Sequence, residues 1–148
     1  MKSFYLLNEK IKSEEERNVE ETLKKLPKKH SELIKGFNLK FTPNNTLKND
    51  KNHIGYIYKK DIVVAAPYNY GREFTLLHEI AHMIWEKLID KKTKKQWIKI
   101  YKNYKKDLKQ NAEEIFCMVY ANMHVKHKLK TYEKPELEKF IKEKIISA

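Results

Sequence analysis

Apolar positions recur along this chain at two spacings, and the change from one to the other divides it. Over residues 13–26, Val19, Leu23 and Leu26 fall three or four apart behind Ser13, Glu14, Glu15 and Glu16. That pattern predicts a helix with Ser13 as its N-cap and an acidic first turn suited to the helix dipole, broken at Pro27. Residues 1–12 before it read as a short strand or irregular arm. Residues 31–36 predict one or two helical turns ended by Gly36. Residues 37–42 then alternate apolar and polar, as a half-buried strand does. Pro43-Asn44-Asn45-Thr46 signals a turn, and residues 43–53 an exposed loop. Two further strands are predicted over 54–58 and 61–66, joined by a turn at Lys59-Lys60, with a loop over 67–71.

From there the helical spacing takes over. Phe74, Leu77, Ile80, Ala81, Ile84 and Trp85 predict a helix over about 72–89. Trp97, Ile98, Tyr101, Tyr104 and Leu108 predict a second over 91–108, amphipathic with a basic outer face. Residues 111–124 are apolar almost all round between Ile115 and Ala121, the mark of a buried helix. A closing helix over 134–146 has Pro135 near its first turn and packs through Leu137, Phe140, Ile141 and Ile145. The expected class is α+β, a small sheet beside the helix over 72–89 with further helices C-terminal to it. With no internal repeat or linker, residues 1–148 read as one domain.

Composition adds charge to this picture. The chain has 148 residues with 41% apolar and 35% charged, in keeping with a folded rather than disordered chain. Its 32 basic and 20 acidic residues give a net charge of +12. An acidic partner for the lysine-rich surface is therefore an expectation. Only Arg17 and Arg72 are arginines, and specific phosphate and base recognition favours arginine forks, so a sequence-specific nucleic-acid reader is not expected. Cys117, the single cysteine, excludes an internal disulfide and lies in an apolar run, as a buried inert thiol does. No stretch is long and apolar enough for a membrane span, and the apolar N-terminal stretch is too short for a signal peptide. The chain reads as cytoplasmic, or as secreted if it is a mature form.

The chemistry is concentrated in His78-Glu79-Ile80-Ala81-His82. On a helix, residues four apart share a face, so His78 and His82 can present two imidazoles to one zinc ion. Glu79, one step round the helix, is placed as a general base beside zinc-activated water. A catalytic zinc expects a third protein ligand. The candidates are Asp90, Glu113, Glu114, His124 and His127. Glu113 and Glu114 stand out because they begin a buried helix, where an unpaired carboxylate is costly and a metal removes the cost. Helical geometry alone does not choose between them. His30 and His53, like His124 and His127, read as ordinary surface histidines. The strand, loop and H-E-x-x-H helix follow one another as in a zincin-like active site, where an edge strand beside the cleft holds an extended substrate; here the stretch is Val63 to Pro67.

From about residue 20 onward the chain resembles the anthrax lethal-factor-like (ATLF-like) zinc metallopeptidases, relatives of the proline-proline endopeptidases. The resemblance rests on Leu26-Pro27-Lys28-Lys29-His30, Gly55-Tyr56, residues 62–66, His78 to His82, Asn111 to His124 and the tail ending Ile145-Ile146-Ser147. It implies a gluzincin-type zinc endopeptidase acting on a protein or peptide. It also implies Glu114, in Glu114-Ile115-Phe116, as third zinc ligand with Glu113 as fallback. The family has an oxyanion-stabilising tyrosine shortly before the third ligand. This chain has Asp107 at that spacing, and Tyr104 is the nearest tyrosine, with Tyr101 next. Where the family often has a second acidic residue one turn after the ligand, this chain has Met118. Two other readings stand beside this one. One is a regulatory metallopeptidase like those that cleave phage-type repressors (ImmA/IrrE-like), although Asn111 to Met123 lacks their Met-Pro ending. The other is a non-catalytic basic binding module with a vestigial metal site.

Overall fold

The computed structural model describes residues 14–42, 55–65 and 71–147. The expected N-terminal arm, the Ser13 cap, the 43–53 loop and residues 66–70 lie outside the described residues.

The architecture is mixed α+β. Helix α1 (Glu14–Lys25) is followed by a short α2 (Lys28–Ser31) that tightens into a 3-10 turn at Glu32–Ile34. Three strands come next: β1 (Asn38–Thr42), β2 (Gly55–Tyr58) and β3 (Asp61–Ala65). Then follow α3 (Arg72–Lys87), α4 (Lys91–Tyr101), α5 (Lys105–Leu108) and α6 (Ala112–His124). A 3-10 turn at Lys130–Tyr132 leads to α7 (Pro135–Ile141), which widens into a π turn over Lys142–Ile146.

Pro27 ends α1, as its missing N–H and fixed φ require. It also starts α2, because its carbonyl accepts the His30 and Ser31 N–H groups. The helical turns expected from residue 31 thus begin three residues earlier. Gly36, at φ +85°, takes the left-handed conformation that closes this segment.

The sheet has the order β1-β3-β2. β1 runs parallel to β3, with Leu39 opposite Ile62, and β2 runs antiparallel, with Ile57 opposite Ile62. This corrects one expectation. The segment from Val63 is not the edge strand of a cleft: β3 is central and its backbone is paired on both sides. Ile62, Val63 and Val64 are all buried, which is what a continuous apolar run on a strand covered on both faces looks like. Among the described residues the edges of the sheet are β1 and β2.

The helix expected over 91–108 divides. After Tyr101 the Asn103 N–H bonds the Ile100 carbonyl and the Tyr104 N–H bonds the Tyr101 carbonyl. These three-residue bonds replace the four-residue ladder, tighten the turn and let the chain restart as α5. Lys109, at φ 55°, then ends α5 in the left-handed region.

The centre of the molecule is the packing of α3 on α6, the most extensive contact between two elements. α3 contributes Leu76, Leu77, Ile80 and Ile84 and α6 contributes Ile115, Phe116 and Tyr120, all essentially inaccessible. Each such aliphatic or aromatic side chain stabilises the fold by about 1.5–3 kcal/mol on burial. Phe116 is gripped between Trp85 and Trp97, with ring centroids 5.4 and 5.6 Å away. Cys117 is buried, and burial pushes its thiol pKa up, so it is the inert core residue expected. Glu73 ties α1 to this pair by accepting from the Thr22 hydroxyl and from the Lys126 N–H.

Candidate metal centre

α3 is buried along most of its length, and polar groups on such a helix need partners. His78 is buried and His82 half-buried, one turn apart on the same face. Their rings meet edge to face with Nε2 atoms 3.1 Å apart. Two imidazole nitrogens aimed at each other repel unless a proton or another cation sits between them. Glu114 reaches in from the first turn of α6. Its Oε1 lies 2.9 Å from His82 Nε2 and its Oε2 3.3 Å from His78 Nε2. One donor atom each from His78, His82 and Glu114 therefore falls within 4.8 Å of the others. Donors on a tetrahedral zinc, at bonds of 2.0–2.1 Å, stand about 3.3 Å apart. Two imidazoles and a carboxylate are also the donor set of catalytic zinc, so these residues fit the ion in chemistry and spacing.

Glu113 lies beside the donor set, not in it. Its Oε2 is 2.6 Å from His82 Nδ1, the nitrogen turned away from the cluster. A carboxylate there holds the proton on Nδ1 and leaves Nε2 as the donor. Among the described residues His78 has no equivalent: its Nδ1 is buried without a hydrogen-bond partner there. The charges follow the contacts. Burial opposes a charge on His82, but its hydrogen bonds to Glu114 and Glu113 outweigh burial and raise its pKa to about 9. The contacts with His78 and then His82 hold the Glu114 carboxyl well below the usual carboxylate range. Glu79 is buried on α3, close enough that its negative charge also favours the protonated His82.

The position of Glu113 and Glu114 is set locally at the start of α6. Asn111 is the N-cap, its side-chain oxygen accepting the Glu114 N–H at 2.8 Å. Three side chains from elsewhere pin the preceding backbone and side chain. The Trp97 indole N–H donates to the Ala112 carbonyl at 2.8 Å, and the Tyr101 hydroxyl to the Gln110 carbonyl at 2.6 Å. The Tyr132 hydroxyl donates to the Gln110 side-chain oxygen at 2.8 Å. None of these supports was anticipated. The cap signal, Asn111 ahead of two glutamates and an apolar run, was legible; the three distant donors were not.

The remaining candidates lie elsewhere. Tyr104 donates its hydroxyl to Glu136 at 3.2 Å, at the start of α7, so it is not directed at the histidines. Tyr101, the second choice, is held by Gln110. Asp90 caps α4 through the Thr93 N–H at 2.7 Å. His124 is half-buried at the far end of α6, ten residues and about 15 Å along the axis from Glu114, with Nδ1 on the Tyr120 carbonyl. His127 is exposed. His30, read as a surface residue, is instead buried, its Nδ1 2.8 Å from the Tyr120 hydroxyl. His53 lies outside the described residues. A cavity of about 150 Å3 sits at the other end of α3, among His30, Ile84, Leu88, Asp90 and Lys144, and contains none of the clustered donors.

No protein-family model, curated protein or solved structure matches this chain.

Proposed function

We propose that this chain is a zinc-dependent endopeptidase of zincin-like fold and gluzincin type. The observation that carries the reading is the convergence of His78 Nε2, His82 Nε2 and a Glu114 carboxylate oxygen, with Glu79 buried on the same helix. His78, His82 and Glu114 would hold one zinc ion. Bound there, zinc supplies Lewis acidity, activating water and polarising a substrate carbonyl.

The protein's own part in the reaction is proton handling and alignment. The Glu79 carboxylate takes the proton released by the attacking water and returns it to the leaving amine as the peptide bond breaks. Glu113 keeps the His82 proton on Nδ1, so Nε2 remains a donor through the cycle. The carboxylates around the histidines favour a cation at the cluster. Tyr104 is given no part in stabilising the oxyanion, because its hydroxyl is on Glu136. An extended substrate would pair with a sheet edge, and β2, an edge strand among the described residues, contacts α3.

The test is metal content and proteolysis measured together. Purified protein should carry about one zinc per chain and His82→Ala little or none. Glu79→Gln should keep the zinc while cleavage of a peptide library falls by about 10²–10⁴-fold. Wild-type protein that takes up no zinc on reconstitution would sink the reading.

A further inference from the structure

The net charge is not spread evenly. Residues 91–109 hold nine lysines (Lys91, Lys92, Lys94, Lys95, Lys99, Lys102, Lys105, Lys106 and Lys109) against one acid, Asp107. Nine minus one is +8, two-thirds of the +12 carried by the whole chain. At 100° per residue, Lys91, Lys92, Lys95, Lys99 and the C-cap Lys102 share an arc of about 100° on α4. Ile98 lies about 20° beyond the edge of that arc and is 36% exposed. The opposite side of the helix buries Trp97 and Tyr101.

Among the described residues, nothing packs on or pairs with the lysines of this arc. Its lysines are exposed, and among the described residues no carboxylate forms an ion pair with Lys91, Lys95, Lys99 or Lys102. Like charges three and four apart on a helix repel, so the arrangement costs stability that a negative counter-surface returns. The segment is also rigidly mounted. Asp90 caps α4, Trp97 and Tyr101 bond backbone carbonyls on either side of the α6 N-cap, and Tyr104 bonds Glu136.

We propose that this face of α4, extended by α5, docks the protein on an anionic phospholipid surface. Three features select that partner. The cations are all lysines, point charges on flexible stems, not the arginine forks that read phosphate and base geometry. The aromatic residues of the segment turn inward, so no stacking platform for single-stranded bases is presented. The face is the convex outside of a helix, not a groove shaped to fixed groups of a folded partner. Mobile anionic head groups can gather beneath such lysines, each contributing about 1 kcal/mol near the surface. Ile98 is one of the three large apolar side chains exposed among the described residues. It supplies an apolar foothold at the head-group boundary. No described helix is long and apolar enough to cross the bilayer, so the mode is surface adsorption. The inference does not depend on the zinc reading.

Co-sedimentation with phosphatidylcholine vesicles, with and without a one-third share of phosphatidylserine, tests it. Wild type should bind only the anionic vesicles and release as salt is raised. The triple variant Lys95→Glu, Lys99→Glu, Lys102→Glu should bind about tenfold or more weakly. Lys24→Glu, Lys130→Glu, Lys139→Glu changes net charge equally at exposed sites outside the segment and should lose less than about threefold. Ile98→Ser should weaken binding at unchanged charge. Matching thermal melts establish that the variants are folded. Absence of binding to anionic vesicles at low salt overturns the proposal. So does equal loss in both triple variants, which would make net charge the cause, or tighter binding to an oligonucleotide than to the vesicles.

Discussion

At the scale of single residues, Glu113 and Glu114 are chemically identical neighbours with different surroundings. Glu114 faces both Nε2 atoms, while Glu113 faces the Nδ1 of one ring. Glu114→Gln should therefore abolish stoichiometric zinc uptake. Glu113→Gln should keep the site but weaken zinc affinity about 10–100-fold, as read by competition with a chromogenic chelator. Equal losses would mean that both carboxylates are ligands. Tyr104 gives the opposite expectation. Because its hydroxyl bonds Glu136, Tyr104→Phe should leave zinc content unchanged, keep peptidase turnover within about threefold and cost less than about 1 kcal/mol of stability. A hundredfold fall in turnover would return it to the reaction centre.

At the scale of elements, the start of α6 links stability to the candidate site. The Asn111 side chain bonds the backbone N–H of Glu114 itself. Asn111→Ala should cost about 1 kcal/mol in urea unfolding and also weaken zinc affinity, since the freed turn no longer fixes the ligand. Asp90→Ala removes a cap of the same kind from α4 and should leave zinc affinity unaltered. If the two variants lower zinc affinity alike, the loss reflects general loosening, not the cap. The same comparison shows why element-level reading reached only part of the way. The spacing within α3 and α6 is local, and it was legible. The break after Tyr101 and the central place of β3 depend on partners far along the chain. A short apolar run can be an edge or a central strand until its neighbours are known.

At the scale of the whole molecule, two couplings should be measurable. A zinc site formed only by the folded chain stabilises it by mass action, about 2.7 kcal/mol at a hundred times the dissociation constant. For a chain of this length that corresponds to a rise in melting temperature of roughly 5–10 °C, reversed by chelation. An unchanged melt would deny the coupling. The second is acid sensitivity through His30, which packs on Tyr120 of α6. Burial, helped by the charges of Lys29 and His124, lowers its pKa from 6.5 to about 4. Between those values the unfolded chain binds the proton and the folded chain does not, so stability falls as pH drops through that window. Over pH 7 to 5 this group alone removes about 2 kcal/mol. Urea unfolding at the two pH values should show a shallower loss in His30→Gln than in wild type; parallel losses would place the acid sensitivity in other groups.

The sequence alone determined the things that short-range geometry governs. Helical period placed α3, α6 and the closing helix, and the four-residue separation of His78 and His82 put two imidazoles on one face wherever that helix packs. Pro27 and Gly36 marked boundaries because their backbones admit few alternatives. Tertiary structure decided the rest. Glu113 and Glu114 sit 100° apart on their helix, so only the way α6 crosses α3 selects which one meets both rings. Tyr104 was assigned by proximity in sequence, but the turn after Tyr101 sends its hydroxyl to Glu136. His30 looked like a surface residue because nothing within a few positions shows that Tyr120, ninety residues later, closes over it. Spacing along a chain fixes direction within one element; which elements face each other is set by the burial of their apolar sides, a property of the whole molecule.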